Sequence, residues 1–233
     1  MPLEMHAITT AFELRPSSPS KKKTAPWTGR LGQSAVTAVH IGMGPPATRA
    51  AVGRLLDSGE EDSTPVDHIM IAGICGGLDP DLPVGTLVNP DTIVDYTSGA
   101  AYRHEPPGSA PKTGKLITTE GATLDHTMSR QFFEEGFIGV DMESSAVAET
   151  CERYGCAWSV YRCIGDRYFD GLLDQRLVAA TNPDGSGNMA EIERLLAAEP
   201  DLRANLQQLT EDTTAAARLA AEAAVRGCLA LDI

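Results

Sequence analysis

Short apolar runs alternate with segments of helical spacing along most of this chain. Ser34 to Ile41 alternates and is rich in valine and alanine, which predicts a strand. A helix is expected over Ala47 to Leu56, after the turn at Gly42-Met43-Gly44-Pro45-Pro46. His68 to Gly73 is a short apolar run of the kind found in buried parallel strands. It leads into Gly73-Ile74-Cys75-Gly76-Gly77, read as a glycine-rich turn where backbone can approach a ligand or simply reverse direction. Strand segments follow at Gly85 to Pro90, Asp91 to Asp95 and Lys115 to Thr119, the last two separated by a glycine- and proline-rich loop, Ser98 to Gly114. Gly139-Val140 closes a further strand, Met142 to Tyr154 a helix, and Ala157 to Ile164 another strand. Asn182 to Asn188 breaks the pattern, and Met189 to Ala198 and Leu202 to Leu229 read as helices divided near Pro200. The alternation predicts an α/β fold in which one sheet is covered on both faces, with no internal repeat and no second domain over residues 1–233.

Composition narrows the function classes. A net charge of -13 argues against nucleic acid or an anionic membrane as partner and leaves a small neutral or zwitterionic molecule open. The 5 cysteines form no CxxC pair, which points to reduced thiols and a cytoplasmic protein. The 5 histidines have no ligand spacing, so no metal is expected. No apolar signal core or membrane-length run is present in the sequence given. Pro16 to Lys23 reads as a polar, basic surface loop, with a phosphate-binding patch as the alternative.

The richest chemistry lies in Val140-Asp141-Met142-Glu143 and Cys163-Ile164-Gly165-Asp166. A strand ending on an acid, near a helix that opens on one, can aim carboxylates into one cleft. Such a set suits glycosidic-bond chemistry. The same residues also fit a structural reading, with Asp141 as an N-cap and Glu143 complementing the helix dipole.

In these blocks the chain resembles the nucleoside phosphorylase/nucleosidase superfamily, and most closely its 5'-methylthioadenosine/S-adenosylhomocysteine nucleosidase branch. His40-Ile41-Gly42-Met43-Gly44, Ile71 to Leu78 with Val84 to Val88, Val140 to Ala148, and Tyr161 to Asp166 carry the likeness, over roughly residues 36–170. The resemblance implies a three-layer α/β/α sandwich around a mixed sheet. It implies that Asp166 protonates N7 of a purine, that Glu143 binds the ribose hydroxyls, and that Met142 packs beneath the sugar. Gly42, Gly73, Cys75 and Gly76 would shape the backbone around sugar and nucleophile, and Phe169 with Tyr168 would line a pocket for the 5' substituent. Arg162 would orient a carboxylate or form a structural ion pair.

The phosphorolytic branches grip phosphate with arginines that here fall at Glu4 and near Ile71, and a hydroxyl residue of the turn falls at Ile74. An apolar wall cannot hold a phosphate dianion, whereas Glu4 can polarise water as a general base. Hydrolysis of a purine nucleoside without cofactor is therefore expected, with phosphorolysis through Arg30, Arg49 or the lysine run as the rival. A third reading is a protein that binds nucleosides without cleaving them. The family's base-stacking aromatic would fall near Gly121-Ala122-Thr123, where none exists. The family also opens with an apolar strand before the Glu4 position. Its absence from this sequence implies either a truncated start or another segment in that place. By resemblance the protein is expected to be a homodimer, with the loop around Tyr102-Arg103-His104 reaching a neighbouring site.

Overall fold

The computed structural model describes residues 2–17, 25–57, 65–103, 107, 113–123, 125–182 and 185–231. The chain begins with helix α1 (Pro2–Ala11), followed by β1 (Arg15–Pro16), β2 (Trp27–Leu31) and β3 (Ser34–Ala38), which form a small antiparallel sheet. Helix α2 (Pro45–Leu56) and the long strand β4 (His68–Gly77) follow, then β5 (Leu87–Val88), β6 (Thr92–Asp95), β7 (Ala101–Arg103) and β8 (Lys115–Thr118). Next come α3 (His126–Glu134), β9 (Phe137–Asp141), α4 (Ser144–Tyr154) and β10 (Ala157–Arg167). The chain closes with α5 (Gln175–Ala179), α6 (Met189–Ala198) and α7 (Leu202–Leu229).

Among the described residues, seven strands form the central mixed sheet in the order β5-β10-β4-β9-β8-β6-β7. The pairs β10/β4, β9/β8 and β8/β6 are parallel, and β5/β10, β4/β9 and β6/β7 are antiparallel. Side chains alternate across a strand, so each central strand feeds two cores. On β10, Trp158, Val160 and Ile164 join Val52 of α2 and Val147, Ala148 and Cys151 of α4. Tyr161 and Cys163 point to the other side, where Ala216, Ala220, Ala223 and Ala224 of α7 pack. This is the sandwich expected, helices on both faces of a mixed sheet. The small residues of α7 let its axis come close: a Cβ on Gly227 would stand within bonding range of Tyr161, so only glycine fits there. No helix among the described residues is long and apolar enough to cross a membrane.

Several local expectations need correction. Gly73 to Gly77 is no turn. It is the second half of β4, paired in parallel with β10 and, at Gly76 and Gly77, antiparallel with β9. Backbone pairing with β10, joined by β9 at Gly76 and Gly77, holds the glycines extended. The stretch Ser98 to Gly114 contains a strand, β7, hydrogen-bonded to β6. Helix α4 starts at Ser144, two residues after Met142, because the Asp141 carboxylate accepts from Ser144 N. Helices α1, α3 and α5 had no sequence expectation. The lysine run 21–23 and His104 lie outside the described residues.

Candidate functional site

The site is built around one buried arginine. Arg162 lies on the same face of β10 as Val160 and Ile164 and is 3 % exposed. Its Nη2 stands 2.6 Å from Oδ2 of Asp141 and 3.0 Å from Oε2 of Glu143, and its Nη1 is 3.9 Å from Oε1 of Glu4. Burial works against the guanidinium charge, but Asp141, Glu143 and Glu4 together outweigh it and raise its pKa. Three carboxylates thus surround a single cation, each delivered by a different device.

Asp141 ends β9 and is a structural residue. Its carboxylate also accepts from the Thr118 hydroxyl (2.7 Å) and from the backbone and hydroxyl of Ser144, so it caps α4 while anchoring Arg162. Glu143 occupies the N-cap position of α4 but makes no capping bond. Instead its Oε1 accepts from Gly44 N at 3.1 Å, ahead of the α2 helix. Gly44 has φ 82, a left-handed conformation that favours glycine, and this turn aims its N–H at the carboxylate. Burial raises the Glu143 pKa, opposed by Arg162 and assisted by Asp141.

Glu4 reaches the cluster from the first turn of α1, and its Oε1 accepts from Ile74 N at 2.9 Å. The approach depends on Gly73. A Cβ built there would lie 2.3 Å from Oε1 of Glu4 and 2.8 Å from Nη1 of Arg162.

Asp166 is placed by an irregularity in β10. Ile164 pairs with Cys75 and Asp166 with Gly76, so Gly165 is an extra residue with no partner on β4. Such a bulge re-aims the side chain that follows it. Asp166 consequently lines a small cleft with Gly76, Val140, Ser129, His126 and Tyr168. Burial, reinforced by Asp170, pushes its carboxyl up to about 6. The rings of His126 and Tyr168 meet edge to face at 5.8 Å beside this cleft. Deeper on α3, Ser129 is 1 % exposed and its hydroxyl has no hydrogen-bond partner among the described residues.

The structure therefore brings Glu4, Gly73 and Glu143 together and sets Asp166 and Gly76 on the adjoining cleft. Met142 is half-buried beside Glu143, and Gly42 (φ 81) opens the turn that carries Gly44. Cys75 belongs to the hydrophobic core, and burial pushes its thiol well up. Phe169 is 37 % exposed, edge-on to Tyr168 at 5.0 Å and covered by the Arg167 guanidinium, outside the cleft lining. Arg49, an arginine of the rival reading, is paired with Glu149 at 2.6 Å, and Arg30 donates to the carbonyl of Gln33. Sequence reasoning missed Gly44, Ser129 and the Gly165 bulge. Only Gly44 had a visible signal, as the glycine before a proline-started helix.

A family profile described as the phosphorylase superfamily matches residues 1–136. The match takes in Glu4 and β4 and stops short of Asp141 to Asp166. Solved structures of 5'-methylthioadenosine/S-adenosylhomocysteine nucleosidases share the fold. That from Helicobacter pylori is 14% identical with TM-score 0.69, covering 99% of this chain and 95% of that one. The S-adenosylhomocysteine nucleosidase from Streptococcus pyogenes, bound to 5-methylthiotubericidin, is 15% identical with TM-score 0.69 over 100% and 94%. The enzyme from Streptococcus pneumoniae with a transition-state inhibitor is 17% identical with TM-score 0.68 over 100% and 96%.

Proposed function

Because this chain belongs to the phosphorylase superfamily, we propose that it hydrolyses the N-glycosidic bond of a purine nucleoside, a 5'-thio-substituted adenosine, and releases adenine. The observation that carries the reading is Glu4 held between Ile74 N–H and Arg162, beside Glu143, with the protonatable Asp166 on the cleft lined by Gly76 and Val140. Asp166 donates its proton to N7 of the purine as the bond from C1' to N9 breaks, so the bonding electrons leave on a neutral base. The sugar becomes oxocarbenium-like, and nearby carboxylate oxygens stabilise that charge. Glu143, fixed by Gly44 N–H and Arg162, holds the ribose hydroxyls with Met142 beneath the ring. Water adds to C1' and gives a proton to Glu4.

The charge balance supports water over phosphate. With Glu4, Asp141 and Glu143 around Arg162, a phosphate dianion would meet, among the described residues, three carboxylates and one cation already paired. No cofactor enters this chemistry. The reading also carries a cytoplasmic homodimer, which size-exclusion chromatography tests; a monomer alone would sink the dimer.

The test of the function is incubation of the protein with methylthioadenosine, S-adenosylhomocysteine and adenosine, with and without phosphate, following free adenine. Release independent of phosphate upholds the proposal. Release only with phosphate makes it a phosphorylase, and tight binding without release makes it a nucleoside-binding protein.

A further inference from the structure

The Ser129 hydroxyl, without a hydrogen-bond partner among the described residues, has no role in the chemistry above, yet its surroundings are those of a ligand contact. Ser129 and His126 are three residues apart on α3 and so share one face of the helix. Both line the cleft that contains Asp166, with His126 exposed and Ser129 buried. The strand wall of the cleft, Gly76, Gly77 and Val140, presents no polar side chain to pair with the hydroxyl. The apolar cluster behind it, Leu78, Ile117, Phe132 and Phe137, presents none either. Buried polar groups are nearly always paired, so one left open beside a cleft marks a site completed by what enters. Its neighbour Asp166 holds the purine's five-membered ring in the reaction proposed above, on which this inference rests. The six-membered ring then extends along the cleft.

We infer that the Ser129 hydroxyl hydrogen-bonds the six-membered ring of the purine and is the residue by which this site distinguishes a nitrogen-bearing ring from a hydrocarbon one. A hydroxyl both donates and accepts, so it pairs with a ring nitrogen or an exocyclic group. A ligand with only C–H at that edge leaves the hydroxyl buried and open, and is disfavoured.

Calorimetric binding of adenine and benzimidazole to the intact protein tests this directly. Benzimidazole keeps the five-membered ring and its protonatable nitrogen but has a hydrocarbon six-membered ring. The wild type should prefer adenine, and Ser129→Ala should cut that preference about tenfold by weakening adenine alone. Ser129→Cys, which fills the position with a slightly larger atom and offers only a weak donor, should do the same and guards against a cavity defect in the alanine variant. An unchanged preference, an equal weakening of both ligands, or a wild type that binds neither base overturns the assignment. Adenine release from nucleosides is scored separately. Release with an unaltered preference sinks only the Ser129 role, whereas a Ser129-dependent preference without release sinks the hydrolase.

Discussion

Gly73 and Glu4 occupy what would otherwise be the same space: a Cβ on the glycine would fall 2.3 Å from Oε1 of the glutamate. The absent side chain on β4 is what lets a carboxylate from α1 reach the backbone N–H of Ile74. Gly73→Ala should therefore expel Glu4 from its seat. Adenine release should drop by about 10²-fold or more, while urea unfolding shows a loss of about 1–3 kcal/mol from overpacking. Full activity in a folded Gly73→Ala protein would remove Glu4 from the mechanism.

Asp166 sets the pH behaviour of the proposed reaction. Its carboxyl is held up to about 6 by burial and by Asp170, so the free protein carries the proton below that pH and loses it above. The ratio kcat/KM should fall on the alkaline side of about 6. Asp166→Asn cannot donate a proton, so turnover should drop by roughly 10²–10⁴-fold and the alkaline limb should vanish. An unchanged limb in the variant would assign it to another group.

The same shift has a consequence for stability. A carboxyl whose folded pKa lies above its unfolded value of roughly 3.9 binds its proton more tightly in the native state. Its contribution is complete below that unfolded value and is lost as pH rises through about 6. Asparagine has no such loss. Relative to wild type, Asp166→Asn should thus gain about 1–2 kcal/mol between pH 4 and pH 7, allowing for solvent in the cleft. Denaturant unfolding at the two pH values reads this difference, and a variant whose relative stability is flat with pH contradicts it.

Arg162 is the common partner of Asp141, Glu143 and Glu4, and it is almost wholly buried. Arg162→Met should cost about 3–5 kcal/mol because Asp141 would remain buried without its cation. The double variant Arg162→Met/Asp141→Asn should recover part of that loss, since the stranded charge is gone. Equal stability of the single and double variants would show that Asp141 is not electrostatically dependent on the arginine.

Legibility in the sequence followed how local each cause is. The bounds of α6 and α7 coincide with those expected because Asn188 caps one helix and Pro200 separates the two. The β4 glycines were misread because consecutive glycines mark a turn by local rules. Here pairing with β10 holds them extended, β9 adds a second partner at Gly76 and Gly77, and at Gly73 the missing side chain leaves room for Glu4 and Arg162. Helix α3 escaped notice although Asp125 caps it by accepting from Thr127 N and Met128 N. Among the site residues, Glu143 and Asp166 stood out through adjacent motifs and family resemblance. The threefold role of Arg162 and the bulge at Gly165 depend on pairing between strands far apart in sequence. No local pattern encodes either.

The charged cluster also has an order of assembly. Its acids come from α1, the end of β9 and the start of α4, and its cation from β10, the last strand of the sheet to be synthesised. A nascent chain on the ribosome can form α1 and β4 early, but nothing neutralises the converging acids until β10 slots in between β4 and β5. The proposed catalytic site is then a late report on folding, complete only once β10 is home.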